Sequence, residues 1–355
     1  MLLDLMDTPL NLEEFEAVAR EVLPPAAYGY FAGGADDEIT LRENRLAFQR
    51  RHIRYRVLRD VRIRDLTTSL LGLDLAHPIV IAPTALAMMA HADGESAIAR
   101  AAAASGTLQT LSSLSSVRLE DVAAAAPGKP RWFQLYCYED RSVTEQLVKR
   151  AAAAGYSAIV MTVDLPLLGK RERDFRNVFM IPEGVTMANF DDGDPADPGF
   201  SITSRIPTPS LSWDDVTWIQ SLSPVPVILK GIVRGDDAAQ AVEAGVGAVW
   251  VSNHGGRQLD TSIPTADALP DVVASVAHRV PVIVDGGVRR GTDVLKALAL
   301  GADAVAVGRP ALWGLASGGE DGVRRVIEML RDELSLAMAL AGCRSLSEID
   351  AGLIA

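Results

Sequence analysis

Residues 243–254 of the chain read Glu-Ala-Gly-Val-Gly-Ala-Val-Trp-Val-Ser-Asn-His. The stretch starts at the end of a helix pattern and passes a glycine that suits a left-handed helix cap. It then enters a short apolar run and ends in polar residues. Residues 300–305, Leu-Gly-Ala-Asp-Ala-Val, repeat the order of helix end, glycine and strand start. This order is typical of a β/α unit, in which each helix leads to the next parallel strand.

Short apolar runs of this kind recur eight times from residue 79 onward. Alanine-rich helix patterns lie between them, and those at 142–154, 236–244 and 292–300 are each followed by a glycine. Eight β/α units predict a closed (β/α)8 TIM barrel. A doubly wound open sheet is the rival fold, and it is less favoured because no Gly-x-Gly-x-x-Gly turn follows a predicted strand. The predicted strands are 79–83, 107–112, 131–136, 158–164, 225–231, 248–254, 280–287 and 304–310.

The remaining segments predict a single domain over residues 1–355. Residues 1–65 contain helix patterns at 12–22 and 36–48, so we expect a helical extension that covers one end of a barrel formed by residues 66–355. Residues 177–213 are rich in Asp, Gly and Pro and have little periodicity. A long loop of this kind after the fourth strand predicts a lid-like segment.

Composition narrows the classes of function. The chain has 355 residues, 48% of them apolar, and a formal net charge of −12, which argues against nucleic acid or an anionic membrane as a partner. Cys137 and Cys343 are the only cysteines and form no metal-binding pattern, so we expect neither a structural metal nor a disulfide. Asp4 and Asp7 stand where a secretory signal would carry positive charge. No apolar run approaches the ~20 residues that span a bilayer. We therefore expect a cytoplasmic protein.

Polar residues follow the predicted strands, and those after the sixth strand carry the clearest chemistry. His254 can accept a proton near neutral pH, and Arg257 can bind a carboxylate through two parallel hydrogen bonds. A buried loop histidine beside a surface arginine is the plainer interpretation. Lys230, at the end of the fifth strand, is open to three interpretations: a Schiff-base nucleophile, a partner of a structural carboxylate, or a cation beside an electron-rich cofactor.

The seventh and eighth strands end in residues suited to phosphate. Asp285-Gly286-Gly287 with Arg289, and then Gly308-Arg309, supply backbone N–H groups and two guanidiniums at the place where barrels usually bind phosphate. Surface ion pairs are the alternative for the two arginines. No redox metal cluster or cysteine pair is visible, so an electron sink here would be an organic cofactor held by its phosphate.

With these motifs in place, the chain resembles the FMN-dependent α-hydroxy-acid oxidases and dehydrogenases, a family that includes glycolate oxidase, lactate oxidase and mandelate dehydrogenase. The resemblance covers nearly the whole chain. It is carried by residues 28–35 (Tyr-Gly-Tyr-Phe-Ala-Gly-Gly-Ala), Pro83-Thr84-Ala85, 89–91 (Met-Ala-His), 134–136 (Gln-Leu-Tyr), 162–164 (Thr-Val-Asp), Lys230-Gly231, 252–260, 285–287 and 308–310.

The resemblance implies a role for each matching residue. His254 would be the base in the oxidation of a 2-hydroxy acid to a 2-keto acid, and Asp164 would stabilise its protonated form. Arg257, Tyr30 and Arg171 would bind the substrate carboxylate, and Tyr136 would bind the hydroxyl group. Lys230 would lie beside the flavin of FMN and stabilise its reduced form. The other implied FMN contacts are Pro83, Thr84, Ala85, Ser112, Gln134, Thr162, Asp285, Gly286, Gly287, Arg289, Gly308 and Arg309.

Two departures from glycolate oxidase bear on the substrate. Leu114 stands where that enzyme has a tryptophan, and Phe31 replaces a tyrosine. We therefore expect larger aliphatic or aromatic L-2-hydroxy acids to be better substrates than glycolate. The resemblance implies O2 as electron acceptor, which gives H2O2, with a dehydrogenase that uses another acceptor as the alternative. A non-redox FMN barrel isomerase and an inactive flavin-binding protein are the rival functions. The resemblance also implies a homo-oligomer of four or eight copies.

Overall fold

The fold is an eight-stranded parallel barrel, seen in a computed structural model that describes residues 9–190 and 208–355. The barrel closes in the order β10-β3-β4-β5-β6-β7-β8-β9, which confirms the predicted (β/α)8 barrel. All eight observed strands are shorter than the predicted runs, and six of them end earlier than predicted, because the chain turns out of the barrel where the polar residues begin. They are β3 (Ile79–Ile81), β4 (Gln109–Ser112), β5 (Arg131–Leu135), β6 (Ile159–Thr162), β7 (Val227–Ile232), β8 (Ala248–Val251), β9 (Val282–Val284) and β10 (Ala304–Val307).

Helices surround the barrel. Gly155, Gly245 and Gly301, which follow the three helix patterns noted in the sequence, all have positive φ, as the left-handed caps require. The last helix is long and has non-helical backbone at Gly318 and Gly319, where two helices meet at a kink. The helices after β3 are α4 (Gly94–Ala104), α5 (Leu119–Ala125), α6 (Arg141–Ala153), α7 (Glu172–Arg176), α8 (Trp213–Leu222), α9 (Gly235–Glu243), α10 (Thr265–Val276), α11 (Gly291–Ala299) and α12 (Arg309–Ala341).

Two apolar layers hold the barrel. Alternate strand residues point inward and pack on one another, with Trp132 and Trp250 the largest of them, and both are fully buried. The residues between them, such as Phe133 and Ile159, point outward to the helices. The strands therefore form a packed core and not a pore, which leaves the strand ends as the place for a site.

The N-terminal extension covers the carboxyl-terminal end of the barrel. It consists of α1 (Leu12–Val22), α2 (Pro25–Ala32) and α3 (Ile39–Gln49), of which the sequence predicted α1 and α3. The predicted start of α3 at residue 36 was wrong, because Asp36 and Glu38 have positive φ and lie in a turn before the helix. The Asp260 carboxylate accepts hydrogen bonds from the N–H groups of Ile39 and Thr40, which fastens α3 to the loop after β8.

A short antiparallel hairpin precedes the barrel. It pairs β1 (Thr68–Leu70) with β2 (Leu73–Leu75) and was not predicted from the sequence. Leu70 and Leu75 pack in the same cluster as the inward-pointing barrel residues. The hairpin therefore closes the apolar interior at the end opposite the N-terminal helices.

The predicted loop at 177–213 is described in part. Residues 177–190 and 208–212 contain neither helix nor strand, and α8 begins at Trp213, the last residue of the predicted loop. Ser212 and Asp215 form a capping box at that start. Residues 191–207, and with them the centre of the lid-like segment, lie outside the described residues. Across the described ranges, the structure contains no helix of the length and apolarity needed to cross a membrane.

Candidate active site

The carboxyl-terminal ends of β3–β10 surround a pocket with about 1230 Å³ of empty space, its open mouth included. All the predicted FMN contacts line it. The residues predicted to act on the substrate line it as well, except Asp164, whose carboxylate lies behind the ring of His254. The predicted residues on the pocket wall are Tyr30, Pro83, Thr84, Ala85, Ser112, Gln134, Tyr136, Thr162, Arg171, Lys230, His254, Arg257, Asp285, Gly286, Gly287, Arg289, Gly308 and Arg309.

His254 and Asp164 form a hydrogen-bonded pair. His254 Nδ1 lies 2.9 Å from Asp164 Oδ1, which fixes the ring and turns Nε2 away from the carboxylate. Burial lowers the pKa of His254 although the Asp164 carboxylate opposes that shift. Burial alone would raise the pKa of Asp164, but His254 and Lys230 outweigh it and hold that pKa below its usual value. The pair is therefore a neutral imidazole held by an ionised carboxylate, which is the state a general base needs.

The backbone of the His254 loop is unusual. His254 has φ of 57°, a left-handed conformation that is strained for a residue with a side chain, and Gly255 and Gly256 continue it. A Cβ on Gly256 would lie 2.6 Å from the backbone nitrogen of Leu41, so α3 requires a glycine there. The loop after β8 thus turns tightly under the N-terminal helices and directs the imidazole into the pocket.

Arg257 and Arg171 bring positive charge to the same side. Arg257 donates through Nη1 to the carbonyl oxygens of Tyr30 (2.7 Å) and Gly33 (2.8 Å), and its guanidinium lies 5.2 Å from the centre of the Tyr30 ring. Burial and the neighbouring Arg171 lower the pKa of Arg257 to about 10. Arg171 is buried, and its Nε has no hydrogen-bond partner in the described part of the chain. Two guanidiniums in one buried place attract an anion such as a carboxylate.

Tyr136 completes this side of the pocket. Its side chain is buried, and burial together with the Asp164 carboxylate raises the pKa of its hydroxyl group. The hydroxyl therefore stays protonated at neutral pH and can donate a hydrogen bond. We call Tyr136, Asp164, His254 and Arg257 the base side of the pocket.

Lys230 lies below the base side in a network of short contacts. Its Nζ donates to Ser252 Oγ at 2.9 Å and lies 3.4 Å from Asp285 Oδ2. Ser252 Oγ donates to Asp285 Oδ1 at 2.8 Å, and Trp250 Nε1 donates to Asp285 Oδ2 at 3.0 Å. A buried ammonium with a carboxylate and a hydroxyl as fixed partners matches the second and third interpretations of Lys230, as a carboxylate's partner and as a cation at a cofactor.

Gln134 joins three neighbouring strands across the pocket floor. Its Oε1 accepts from Ser112 Oγ at 3.1 Å, and its Nε2 donates to Thr162 Oγ1 at 3.1 Å. All three side chains are buried. Each side chain fixes the orientation of the next, so this floor offers polar atoms of defined direction to a planar heteroaromatic ring.

The other side of the pocket, which we call the phosphate side, is formed by Arg289, Arg309, Gly286, Gly287 and Gly308. Gly286 and Gly287 have φ of 96° and 85°, and a Cβ on Gly287 would lie 2.1 Å from the carbonyl oxygen of Asn44. Burial lowers the pKa of Arg289, and its Nε has no hydrogen-bond partner in the described residues. Gly308 precedes α12, where the Arg309 N–H is the candidate donor, since Pro310 has no N–H and that of Ala311 donates to the Gly308 carbonyl oxygen at 3.0 Å.

Arg309 contacts backbone that the sequence did not connect with it. Its guanidinium donates to the carbonyl oxygens of Phe31 (2.9 Å), Gly255 (3.0 Å) and Gly33 (2.8 Å). Burial and the cations Arg257 and Arg289 lower its pKa to about 9. A guanidinium has five N–H donors, so two remain for an anion, while two tie the N-terminal segment to the pocket and one binds the His254 loop.

These features fit the FMN that the resemblance implies. The buried cations of the phosphate side have backbone partners or none among the described residues, and an anion such as the FMN phosphate would compensate their charge. The polar floor at Gln134 suits a flavin ring, and Lys230 lies between this floor and the phosphate side. The donor set is thus that of a phosphate-bearing, ring-shaped cofactor.

Several residues of the site were missed in the sequence. Ser252 and Trp250 hold Lys230 and Asp285, although Trp250 reads as plain core. Glu95, at the start of α4, is buried and accepts from the N–H groups of Ala87 and Ser116, so it fastens the loops after β3 and β4. Phe179 stacks on the Tyr30 ring at 4.5 Å. An acidic residue in a first helical turn is too common to single out Glu95, whereas the serine two residues before His254 was a signal available in the motif.

Known proteins align with nearly the whole chain. L-lactate oxidase of Nostoc sp. is 52% identical over 356 residues, which cover 97% of this chain and 98% of that protein. Glycolate oxidase 3 of Arabidopsis thaliana is 52% identical over 346 residues, covering 96% and 94%. A solved structure of mandelate oxidase with (S)-2-phenylpropionate matches with a TM-score of 0.90 at 44% identity and covers 98% of each chain.

The sequence model of one family, described as FMN-dependent dehydrogenase, matches residues 19–355. This match and the identities above 50% confirm the resemblance that the motifs carried. The chain belongs to the FMN-dependent dehydrogenase family and is an oxidoreductase with FMN as its cofactor.

Proposed function

We propose that the protein oxidises an L-2-hydroxy acid to the 2-keto acid and passes the electrons to O2, which gives H2O2. The observation that carries the proposal is the His254–Asp164 pair, 2.9 Å apart, beside the buried guanidinium of Arg257. Removing two electrons from a carbon next to a carboxylate requires a base, an anion clamp and an electron acceptor. The side chains supply the first two, and the lactate and glycolate oxidase relatives support this substrate class.

Binding starts with the substrate carboxylate. Arg257 and Arg171 supply positive charge that has no carboxylate partner at hydrogen-bond distance among the described residues. Tyr30 lies against Arg257 and offers its hydroxyl group to the same anion. The Tyr136 hydroxyl donates to the substrate's α-hydroxyl oxygen. These contacts fix the α-carbon between the base and the cofactor, which is the positioning that lowers an activation barrier most directly.

The proton leaves by way of His254. Its Nε2 accepts the proton as the hydroxy acid becomes the keto acid, and the Asp164 carboxylate stabilises the imidazolium that results. When bound, FMN would supply the acceptor for the two electrons and the second proton. Burial of the pocket strengthens each of these interactions because little water competes for the charges.

The remaining wall residues hold the cofactor. Gly287, Arg289, Gly308 and Arg309 would bind the phosphate, and Asp285 with Gly286 would face the ribityl chain. The ring would contact Pro83, Thr84, Ala85, Ser112, Gln134 and Thr162, all of which line the pocket. Lys230 would stabilise the negative charge that reduction places on the flavin.

The apolar wall supports a substrate larger than glycolate. Leu114 and Phe31 line the pocket where glycolate oxidase has bulkier or more polar side chains, and Leu165 and Leu168 add aliphatic surface. A methyl, branched or aromatic substituent would bury apolar area there, whereas glycolate has none to bury.

We also propose that the enzyme is a homo-oligomer of four or eight copies. Apolar side chains remain exposed outside the pocket, among them Val57, Leu58 and Ile63, whose exposure ranges from 67% to 101%. Exposed apolar side chains close together in the sequence are compatible with a contact surface between copies. Light scattering of the purified holoenzyme measures the mass directly.

The experiment that tests the function has two stages. Purified holoenzyme is mixed without oxygen with glycolate, L-lactate, L-2-hydroxyisocaproate and L-mandelate, and the flavin absorbance is followed; air is then admitted and H2O2 is measured. We expect bleaching, fastest with an acid larger than glycolate, and recovery of the absorbance with one H2O2 per turnover. Bleaching that persists in air would favour a dehydrogenase with another acceptor. Absence of bleaching with every acid would contradict the oxidation itself.

A further inference from the structure

Ser252 lies directly after β8, at the point where the cofactor contacts meet the base. Its side chain is fully buried and makes three hydrogen bonds. Ser252 Oγ accepts from Lys230 Nζ at 2.9 Å and from the backbone N–H of His254 at 3.1 Å, and it donates to Asp285 Oδ1 at 2.8 Å. One hydroxyl group therefore contacts the Lys230 ammonium, the Asp285 carboxylate and the backbone of His254.

The direction of each bond follows from the donors involved. A serine hydroxyl has one proton and two lone pairs, and neither an ammonium nor a backbone N–H can accept a hydrogen bond. Both lone pairs are therefore taken by Lys230 and His254, and the proton must point to Asp285. The hydroxyl uses its whole capacity, so it cannot rotate without breaking at least one of the three bonds.

We propose that Ser252 is a positioning residue that fixes the Lys230 ammonium and the His254 loop together, so that the flavin's reduction potential and the placement of the base depend on one hydroxyl group. The proposal rests on the roles of Lys230 and His254 in the proposed function. Asp285 and Trp250 hold the other side of this junction, because Trp250 Nε1 donates to Asp285 Oδ2. His254 needs such support, since its positive φ is strained.

A packing role for Ser252 makes a different prediction from a positioning role. Replacing serine by alanine removes one oxygen atom and hardly changes the packed volume. It removes the acceptor of the His254 N–H, one of the two partners of Lys230, and the donor to Asp285 Oδ1. The ammonium then has Asp285 as its remaining partner, at 3.4 Å, and moves toward that carboxylate. Less positive charge faces the flavin, so reduction becomes less favourable.

The test compares Ser252→Ala holoenzyme with wild type by the flavin's midpoint potential, measured in equilibrium with a reference dye, and by anaerobic reduction with saturating substrate. We expect a more negative potential and reduction slower by about 10- to 100-fold, as is usual when a group behind a catalytic one is removed. KM should change far less, because the contacts of Arg257 are untouched. Ser105→Ala is the matched control: its Oγ is also buried and has no partner among the described residues, so potential and rate should stay as in wild type.

A double-variant comparison separates positioning from packing. In a Lys230→Met background, Ser252→Ala should leave the potential unchanged, because its effect passes through the ammonium. Ser252→Thr retains the hydroxyl and should recover most of the rate. If Ser252→Ala fails to fold or to retain FMN, Ser252→Cys takes its place, since a thiol of similar size is a weaker donor and acceptor.

A Ser252→Ala enzyme with wild-type potential and wild-type rate would overturn the proposal, and so would an equal drop in potential in the Lys230→Met background. The proposed function fails separately, if wild-type enzyme is reduced by none of the 2-hydroxy acids. The two failures are therefore told apart by the wild-type trace in the same experiment.

Discussion

His254, Asp164 and Lys230 pair with other side chains, whereas the two arginines of the phosphate side have only backbone carbonyl oxygens as side-chain hydrogen-bond partners among the described residues. His254 and Asp164 are 2.9 Å apart, and Lys230 is held by Ser252 and Asp285. Arg309 contacts three carbonyl oxygens, and Arg289 donates to the carbonyl of its own neighbour, Val288. The charges of His254, Asp164 and Lys230 are thus compensated within the protein, whereas Arg289 and Arg309 have charge left for an anion such as the FMN phosphate.

The difference reflects two tasks. A base must have its proton affinity and direction fixed before the substrate arrives, so its partners have to be permanent. A cofactor site gains affinity if the buried cations are left uncompensated until the phosphate binds, because the ligand then relieves an unfavourable burial of charge. Substitutions on the base side should therefore change the rate of substrate oxidation, and substitutions on the phosphate side should change the affinity for FMN.

Apart from replacement of the base itself, Arg257→Met should have the largest effect. Loss of the guanidinium removes the main contact of the substrate carboxylate, and we expect kcat/KM to fall by about two to three orders of magnitude. The kcat/KM of Arg257→Lys should lie between those of Arg257→Met and wild type, because lysine retains the charge but not the paired donors. Arg234→Met, at an exposed arginine, is the control. A near wild-type kcat/KM in Arg257→Met with full FMN content would mean that the carboxylate binds elsewhere.

Asp164→Asn should slow anaerobic flavin reduction by about 10- to 100-fold and change its pH dependence. Burial lowers the pKa of His254, so the neutral base of the wild type persists below the usual histidine pKa of about 6.5, and activity is lost only as the pH falls further. The Asp164 carboxylate opposes that lowering. Its removal should therefore move the acid limb of kcat/KM to still lower pH while the plateau falls. An acid limb that moves upward would contradict the pairing of these two groups.

Arg289→Met should act on the cofactor and leave the base side intact. We expect the dissociation constant of FMN to rise by about 10- to 100-fold, since a charge-assisted hydrogen bond is lost. The apoprotein should unfold at the same or a higher temperature than wild type, because methionine replaces a buried, uncompensated cation. Titration of apoprotein with FMN and thermal unfolding measure both. Arg290→Met, at the exposed neighbour that pairs with Glu333, is the matched control. Apoprotein destabilised by Arg289→Met would refute the contrast drawn between the two sides.

Leu114→Trp should have the smallest effect. A larger side chain on the apolar wall leaves less room for the substrate. The ratio of kcat/KM for L-mandelate to that for glycolate should therefore fall by about tenfold, with FMN affinity unchanged. Leu165→Ala, on the same wall, should move the ratio the other way. An unchanged ratio in both variants would show that this wall does not set the size of the substrate.

The sequence predicted the barrel because its signals are local. Gly155, Gly245 and Gly301 each follow a helix and come three residues before an apolar run, and all three have the positive φ expected of a cap. The hairpin of β1 and β2 was missed because each strand has three residues, too few to give a periodic pattern. The start of α3 was misplaced because the turn at Asp36 and Glu38 is set by contacts with the loop after β8, including Asp260.

Site residues could be predicted where the chemistry requires one residue type. They could not be predicted where many residue types can do the same task. His254, Arg257 and the glycines at 286 and 287 could be selected from strand ends and residue chemistry. The partners of Arg309 are carbonyl oxygens of Phe31, Gly33 and Gly255, and any residue carries a carbonyl, so no pattern marks them. Ser252 and Glu95 act through hydrogen bonds to other residues across the fold, which composition and periodicity do not encode.

The most direct measurement is anaerobic mixing of His254→Asn holoenzyme with an L-2-hydroxy acid that reduces the wild type, with the flavin absorbance as readout. Asparagine leaves the pocket polar and removes the base. We expect the variant to retain FMN and to be reduced about 10²- to 10⁴-fold more slowly, the usual contribution of a general base. A variant that bleaches at the wild-type rate would contradict the assignment of His254 as the base and, with it, the functional contrast between the two sides of the pocket.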